Sequence, residues 1–206
     1  MEAGMSDVRS DLVTNHNKPD WLMRKFVLWA IVAICCLQIA CKKESSLPSV
    51  TGIDMSSDGY HKATILWANC NLGANSPELP GDYYAWSEGE DAVAKVLGKG
   101  WRMPTSAEFA ELVSNCTVEF VPYEEDRWIV GCRLKSKSTG ETLYFPAWGY
   151  KDEDGKIVHK NSYGYYWTST PLDTDNAKSY YISDDGCKSS SESISLGLQI
   201  RPVKDL

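Results

Sequence analysis

The chain has 206 residues, 43% hydrophobic, 24% charged and 11% aromatic, with 21 Lys and Arg against 28 Asp and Glu and a formal net charge of -7. That length supports one domain with a real core and is too short for two large ones. An acidic chain with no Lys/Arg cluster beyond short pairs offers no electrostatic footprint for nucleic acid. The aromatics are 8 Trp and 11 Tyr against 4 Phe, a bias toward side chains with an apolar body and a polar tip that suit half-buried β surfaces and binding faces.

Residues 1–22 are polar and acidic, and are expected to be a start-site over-extension ahead of Met23. Met23-Arg24-Lys25 followed by the apolar run from Phe26 to Ala40 reads as a signal peptide over 23–40, because a positive start precedes an apolar stretch shorter than the ~20 residues that span a bilayer. Small Ala40 directly before Cys41, with Leu37 and Ile39 behind it, resembles the lipobox of bacterial lipoproteins. The resemblance implies cleavage before Cys41, lipid on Cys41 and membrane association through that lipid. Lys42 is not the Asp that retains enteric lipoproteins in the inner membrane, so the expected address is the outer membrane, on its periplasmic or its external side. Residues 41–52 are polar with Pro and Gly and are expected to be a tether, and 53–206 to be a single domain.

Two helices are predicted. The first spans about Glu90 to Leu97, with Ala92, Val93, Val96 and Leu97 on one face and Gly98 at its C-terminal stop. In the second, Thr105 and Glu108 form a capping box and Phe109, Leu112, Val113 and Cys116 recur at helical spacing. Strands are expected at Thr64 to Cys70, Tyr83 to Trp86, Trp128 to Leu134, Thr142 to Tyr150, Lys156 to Val158, Tyr165 to Ser169, Lys178 to Ile182 and Gly197 to Val203. Asp154-Gly155 and Asp185-Gly186 read as hairpin-turn dipeptides. Short turn-linked strands before and after a central helical pair predict an α+β fold with mostly antiparallel pairing.

Cys70, Cys116, Cys132 and Cys187 follow the expected cleavage site. Export to an oxidising compartment allows two disulfides in any of three connectivities, and buried unpaired thiols are the other reading. The three histidines are scattered, so no zinc site is expected. Asp152-Glu153-Asp154-Gly155 lacks the spaced acids and terminal Glu of an EF-hand and reads as a solvated hairpin tip. Neither a GxSxG, a Walker loop nor an HExxH motif is present, and no cofactor and no metal are expected.

Five segments occur in order: Trp67-Ala68-Asn69-Cys70-Asn71-Leu72-Gly73-Ala74, Gly81-Asp82-Tyr83-Tyr84-Ala85-Trp86, Gly100-Trp101-Arg102-Met103-Pro104-Thr105 with Glu108, Gly164-Tyr165-Tyr166-Trp167-Thr168-Ser169-Thr170, and Ile200-Arg201-Pro202-Val203. Together they resemble the Fibrobacter succinogenes major paralogous domain family, common in exported proteins of Bacteroides-type bacteria and similar to C-type lectin-like folds. The resemblance implies a C-type lectin-like domain, two helices packed on short strands. The residues themselves add that Trp67, Trp86, Trp101 and Trp167 form an aromatic core, that Arg102 pairs with a carboxylate or with carbonyls near the C-terminal strand, and that Pro202 marks a sheet edge or strand end. The Glu-Pro-Asn, Gln-Pro-Asp and Trp-Asn-Asp strings of calcium-dependent lectins are missing.

The expected function is a lipid-anchored cell-envelope module that binds a glycan or protein without catalysis. The alternative is a structural or adhesion-associated surface component. An enzyme reading comes through the formylglycine-generating sulfatase modifiers of the same fold group, whose copper-binding cysteines lie close together, whereas Cys187 has no near neighbour in sequence. Late loops and strands form the ligand face in such folds, and the palette between Trp167 and Ile200 resembles that of antibody loops. The candidate ligand-binding residues are therefore Asn176, Tyr180, Tyr181, Asp184 and Lys188, with Trp148 and Tyr150 as stacking neighbours.

Overall fold

Two helices form where the capping signals mark them. Helix α1 runs Gly89–Leu97 and stops at Gly98, whose φ of 80° is open to glycine at little cost. Helix α2 runs Ser106–Asn115 behind the expected capping box: the Thr105 hydroxyl accepts from the Glu108 amide at 3.2 Å, and the Glu108 carboxylate accepts from the Thr105 amide at 2.7 Å. These features belong to a computed structural model that describes residues 50–56, 63–122 and 129–206, all within one compact unit, Leu47–Leu206. The segments expected to be an over-extension (1–22) and a signal peptide (23–40), and the expected lipid site Cys41, lie outside the described residues. Among the described residues no helix is long and apolar enough to cross a membrane.

The strands form three sheets. In the first, β1 (Gly52–Ile53), β2 (Ile65–Ala68), β12 (Val203–Asp205) and β3 (Trp101–Arg102) lie side by side in that order, so the chain's last strand sits between early ones. The second is a meander of β4 (Cys116–Pro122), β5 (Ile129–Ser136) and β6 (Thr142–Pro146). The third comprises β7 (Trp148–Lys151), β8 (Ile157–Lys160), β9 (Gly164–Pro171), β10 (Asn176–Ser183) and β11 (Gly186–Ser193), in the order β11-β10-β9-β7-β8. Among the described residues every strand–strand ladder is antiparallel except that of β7 with β9, and an isolated parallel bridge joins Tyr166 to Gln199.

This architecture corrects the α+β, C-type lectin-like expectation of two helices packed on short strands. Strand accounts for 46% of the described residues and helix for 15%, in three sheets with two short helices. The shift arises in segments too polar to be read as strands. Gly186–Ser193 carries four serines, yet it pairs residue for residue with β10, because a strand needs only a ladder partner on one side and water on the other. Cys116–Pro122 likewise pairs with β5. In the opposite direction, the strand expected at Tyr83 to Trp86 is a single bridge at Tyr84 followed by a 3₁₀ turn at Trp86–Glu88.

The tryptophans divide between two cores instead of forming one. Trp67 packs with Phe109, Leu134, Phe145, Tyr166 and Ile182, and Trp167 with Leu72, Val93, Met103, Leu198 and Ile200. Trp86 and Trp101 are only part-buried against the second cluster. The motif segments hold one another: the Trp86 indole donates to the Thr168 carbonyl and the Trp167 indole to the Tyr84 carbonyl, both at 2.8 Å. Arg102 donates to both oxygens of Glu108 (2.7 and 2.9 Å) and to Asp205 on β12 (2.7 Å), so it ties the helix cap to the last strand as expected. Pro202 immediately precedes β12, a strand end.

Arg201 lies fully buried at the junction of the sheets. Its guanidinium donates to Asn71 Oδ1 (2.9 Å), the Ala68 carbonyl (3.2 Å) and the Tyr144 carbonyl (2.7 Å), and it stacks 4.4 Å from the Phe145 ring centroid. Asn71 passes the network on, donating to Gln199 Oε1 (2.8 Å) and the Pro80 carbonyl (3.0 Å), while Gln199 donates to the Gly149 carbonyl (3.1 Å). Burial holds the Arg201 guanidinium down to about 10, which still leaves it charged at neutral pH.

Burial alone would raise the Glu108 carboxyl, but hydrogen bonds from Arg102 and Thr105 hold it below its ordinary value of 4.5. A carboxylate depressed in the folded state contributes stability that is fully present above its unfolded value and lost as pH falls through the folded one. Denaturant titrations of the parent and Glu108→Gln proteins are therefore expected to differ most above about pH 5 and to converge in acid. A difference that stays constant from pH 7 to pH 3 contradicts the role given to this carboxylate.

Candidate functional site

A strand sends alternate side chains to opposite faces: in the five-stranded sheet one face carries Tyr166, Tyr180 and Ile182 into the first core, and the other carries Trp167 and Ala177 into the second core and leaves Tyr165 and Tyr181 half-buried. On β10, Tyr180 and Ile182 are buried in the first core, where the Tyr180 ring stacks on Phe109 with centroids 4.4 Å apart and planes 10° apart. Tyr181 takes the other face. There it joins Tyr163 (5.8 Å between centroids) and Tyr165 (6.1 Å), and Tyr165 in turn contacts Tyr150 at 5.1 Å. His159 closes the group, 5.7 Å from Tyr150 and 5.6 Å from Tyr163. The four tyrosines are half-buried and His159 is exposed.

The backbone beneath His159 is unusual. His159 and Asn161 have φ of 60° and 63°, a region uncommon for residues with a side chain. The conformation is held by bonds from the Tyr163 amide to the His159 carbonyl (3.0 Å) and from the Asn161 amide to the Ala147 carbonyl (2.7 Å). Gly149, with φ of 65°, lies against β8 so closely that any Cβ would strike the Val158 carbonyl. This tight corner brings the end of β8 over Tyr150 and Tyr163.

Lys188, Ser190 and Glu192 of β11 share the tyrosine face, Lys188 directly opposite Tyr181 in the ladder. Lys188 Nζ lies 2.7 Å from Asp185 Oδ2, and the Ser190 hydroxyl donates to Glu192 at 2.8 Å. Burial pushes the Tyr165 hydroxyl up to about 12, with Glu192 and the neighbouring tyrosines adding to the effect. The hydroxyl therefore remains a donor across the physiological range.

Of the residues singled out from sequence, Tyr150, Tyr181 and Lys188 come together on this face. Tyr180 turns into the core. Asn176 spends its side chain on the turn before β10, donating to Asp173 Oδ1 at 3.0 Å. Asp184 is exposed at the two-residue tip of the β10–β11 hairpin. Trp148 donates from its indole to the Glu78 carbonyl at 3.1 Å and carries Lys160 Nζ 3.6 Å above its ring, with no ring contact to the tyrosine group. Tyr163, Tyr165, His159 and Glu192 were missed. The alternation Tyr163-Gly164-Tyr165 beside Tyr181 is the signal that could have found them, since a period of two marks a common face.

A second concavity, an open groove of about 680 Å³, lies on the opposite face. The start of α2 (Ser106, Ala107, Ala110) forms one wall and Lys178, Ser189 and Ser191 form the other. Among the described residues the four cysteines are unpaired: Cys70, Cys116 and Cys132 are buried, and Cys187 is part-buried against the first core. Burial pushes the thiols of Cys116 and Cys187 up to about 11 and about 12. Among the described residues no group of three or more His, Cys, Asp or Glu side chains is arranged to hold a metal ion.

A family model described as a domain of unknown function (DUF8237) matches residues 133–203, roughly a third of the chain, which includes the whole five-stranded sheet and Arg201. No curated protein and no solved structure matches the sequence.

The alternation of β10 separates core from surface in a measurable way. Tyr180→Ala removes a stacked core ring and is expected to cost about 3–5 kcal/mol in urea unfolding, as for other buried aromatic truncations. Tyr181→Ala is expected to cost under about 1 kcal/mol. Equal losses at the two positions contradict the assignment of faces.

Proposed function

We propose that this chain is a lipid-anchored, non-catalytic ligand-binding module of the cell envelope, attached through Cys41 at the outer membrane, whose tyrosine face binds a glycan. The observation that carries the reading is the half-exposed group of Tyr150, Tyr165 and Tyr181 on neighbouring strands of one sheet with Tyr163 at the entry to β9, edged by His159 and Lys188. Aromatic rings left partly open to water offer faces and edges on which the apolar faces of sugar rings can stack, and their hydroxyls supply donors and acceptors at the margin. Tyrosine gives this contact area at low entropic cost, having only two side-chain torsions to fix. The framework beneath is rigid sheet, so the rings are ordered before a ligand arrives.

The raised thiols support the non-catalytic part of the reading. A cysteine nucleophile works as the thiolate, and burial keeps Cys116 and Cys187 protonated at neutral pH. The lipobox-like ending at Ala40-Cys41 supports the anchor.

A glycan array probed with the purified chain is the test. Saturable binding to a defined saccharide is expected, and Tyr165→Ala and Tyr181→Ala each weaken it by roughly tenfold, the scale of about 1.4 kcal/mol for a stacked ring, with unfolding midpoints close to the parent's. Binding that survives both substitutions, or no saccharide bound at all, overturns the reading.

A further inference from the structure

Strand β11 is one of the two edges of the five-stranded sheet, with β8 at the other. It pairs with β10 over its full length, Gly186↔Ser183 to Ser193↔Asn176, without a bulge, and contains no proline. The bond from the Ile194 amide to the Asp175 carbonyl (3.0 Å) sets the phase of the ladder. In that phase Gly186, Lys188, Ser190 and Glu192 bond to β10, while Cys187, Ser189, Ser191 and Ser193 turn their backbone groups outward. Among the described residues nothing bonds the outward amides and carbonyls of Cys187, Ser189 and Ser191. A long, regular edge of this kind is a template for another strand.

We infer that β11 pairs with β11 of a second copy of this chain, antiparallel about a two-fold axis at Ser190, joining the two five-stranded sheets into one. The charge order along the strand selects this occupant. With Ser190 opposite its own copy, Lys188 faces Glu192 of the partner subunit and Glu192 faces Lys188 of the partner subunit. The outward groups of Ser189 meet those of Ser191 of the partner subunit, so the free hydrogen-bonding groups are matched as well. Sliding the register by two residues either way sets Lys188 opposite Ser190 or Ile194 and loses both ion pairs. A one-residue slip faces outward groups with inward ones. The contact is self-complementary, as a two-fold interface requires. Leu172, 52% exposed beside the groove that flanks this edge, adds apolar surface at the same margin. The proposal does not depend on the ligand reading. It has a consequence for it, because two tyrosine faces would share one side of the joined sheet and bind a repeating ligand bivalently.

The test uses the full chain in mild detergent, its mass read by sedimentation and light scattering. A dimer is expected. Lys188→Glu and Glu192→Lys each place like charges opposite one another twice and are expected to raise the dissociation constant by at least roughly tenfold. The double variant Lys188→Glu/Glu192→Lys restores opposite charges and is expected to restore the dimer. Ser190→Cys is expected to give a covalent dimer on mild oxidation, because paired residues that do not exchange backbone bonds have Cα atoms about 4.5 Å apart, within disulfide range. The parent chain and Ser195→Cys are expected not to cross-link. A chain that stays monomeric up to about 100 μM, a dimer indifferent to charge reversal, or absence of the Ser190→Cys cross-link overturns the inference.

Discussion

The Arg201 guanidinium, buried with no carboxylate against it among the described residues, is the interaction on which the rest of the structure depends. Moving a cation out of water costs several kcal/mol unless its donors are satisfied. Here the partners are neutral: Asn71, two backbone carbonyls and the face of Phe145. A planar fork with five donors can reach acceptors on several chain segments at once, which an ammonium cannot do with the same geometry. Ala68 belongs to the first sheet, Tyr144 and Phe145 to the meander, and Asn71 leads through Gln199 to Gly149 in the third sheet. Removing the arginine would strand three acceptors in the interior, each costing about 1–3 kcal/mol, and would detach all three sheets from their common point.

The tyrosine face follows from that framework. β9 is fixed in the first core by buried Tyr166, whose hydroxyl donates to the Pro146 carbonyl at 2.7 Å, and in the second core by Trp167, whose amide donates to the Gln199 carbonyl at 2.9 Å. Gln199 belongs to the Arg201 network, so the strand that carries Tyr165 outward is anchored one residue away from the hub's extension. Fixing the inner face of a sheet fixes the outer face by alternation. Tyr150 and Tyr165 also pack against the second core, which helps hold the rings at 5–6 Å spacing.

What could be read from sequence was local and strongly patterned. The Thr105–Glu108 capping box, the Gly98 stop and the Arg102 ion pairs each depend on residues whose chemistry names its partner type, and each formed. The sheet architecture depends on which strands meet, and nothing in a serine-rich run such as Gly186–Ser193 names β10 as its neighbour. Tyr180 and Tyr181 make the same point at the scale of one residue. Both were singled out for composition, but a strand must send them to opposite faces, and buried Ile182 two residues on assigns Tyr180 to the core. From sequence, Arg201 lay in the strand expected at Gly197 to Val203, beside the Pro202 that marks a sheet edge or strand end. Its burial could not be read, because its acceptors are carbonyls and an asparagine about 60 to 130 positions away in the chain.

If Arg201 joins the sheets, they open together. Native-state hydrogen exchange reads this directly, through the opening free energies of strand amides in each sheet. Amides of β2, β5 and β10 are expected to share one value in the parent protein and to fall by the same amount in Arg201→Lys, whose ammonium cannot serve the three acceptors. A sheet that opens at its own lower free energy in the parent, or keeps its protection when Arg201 is replaced, contradicts the role given to the buried guanidinium.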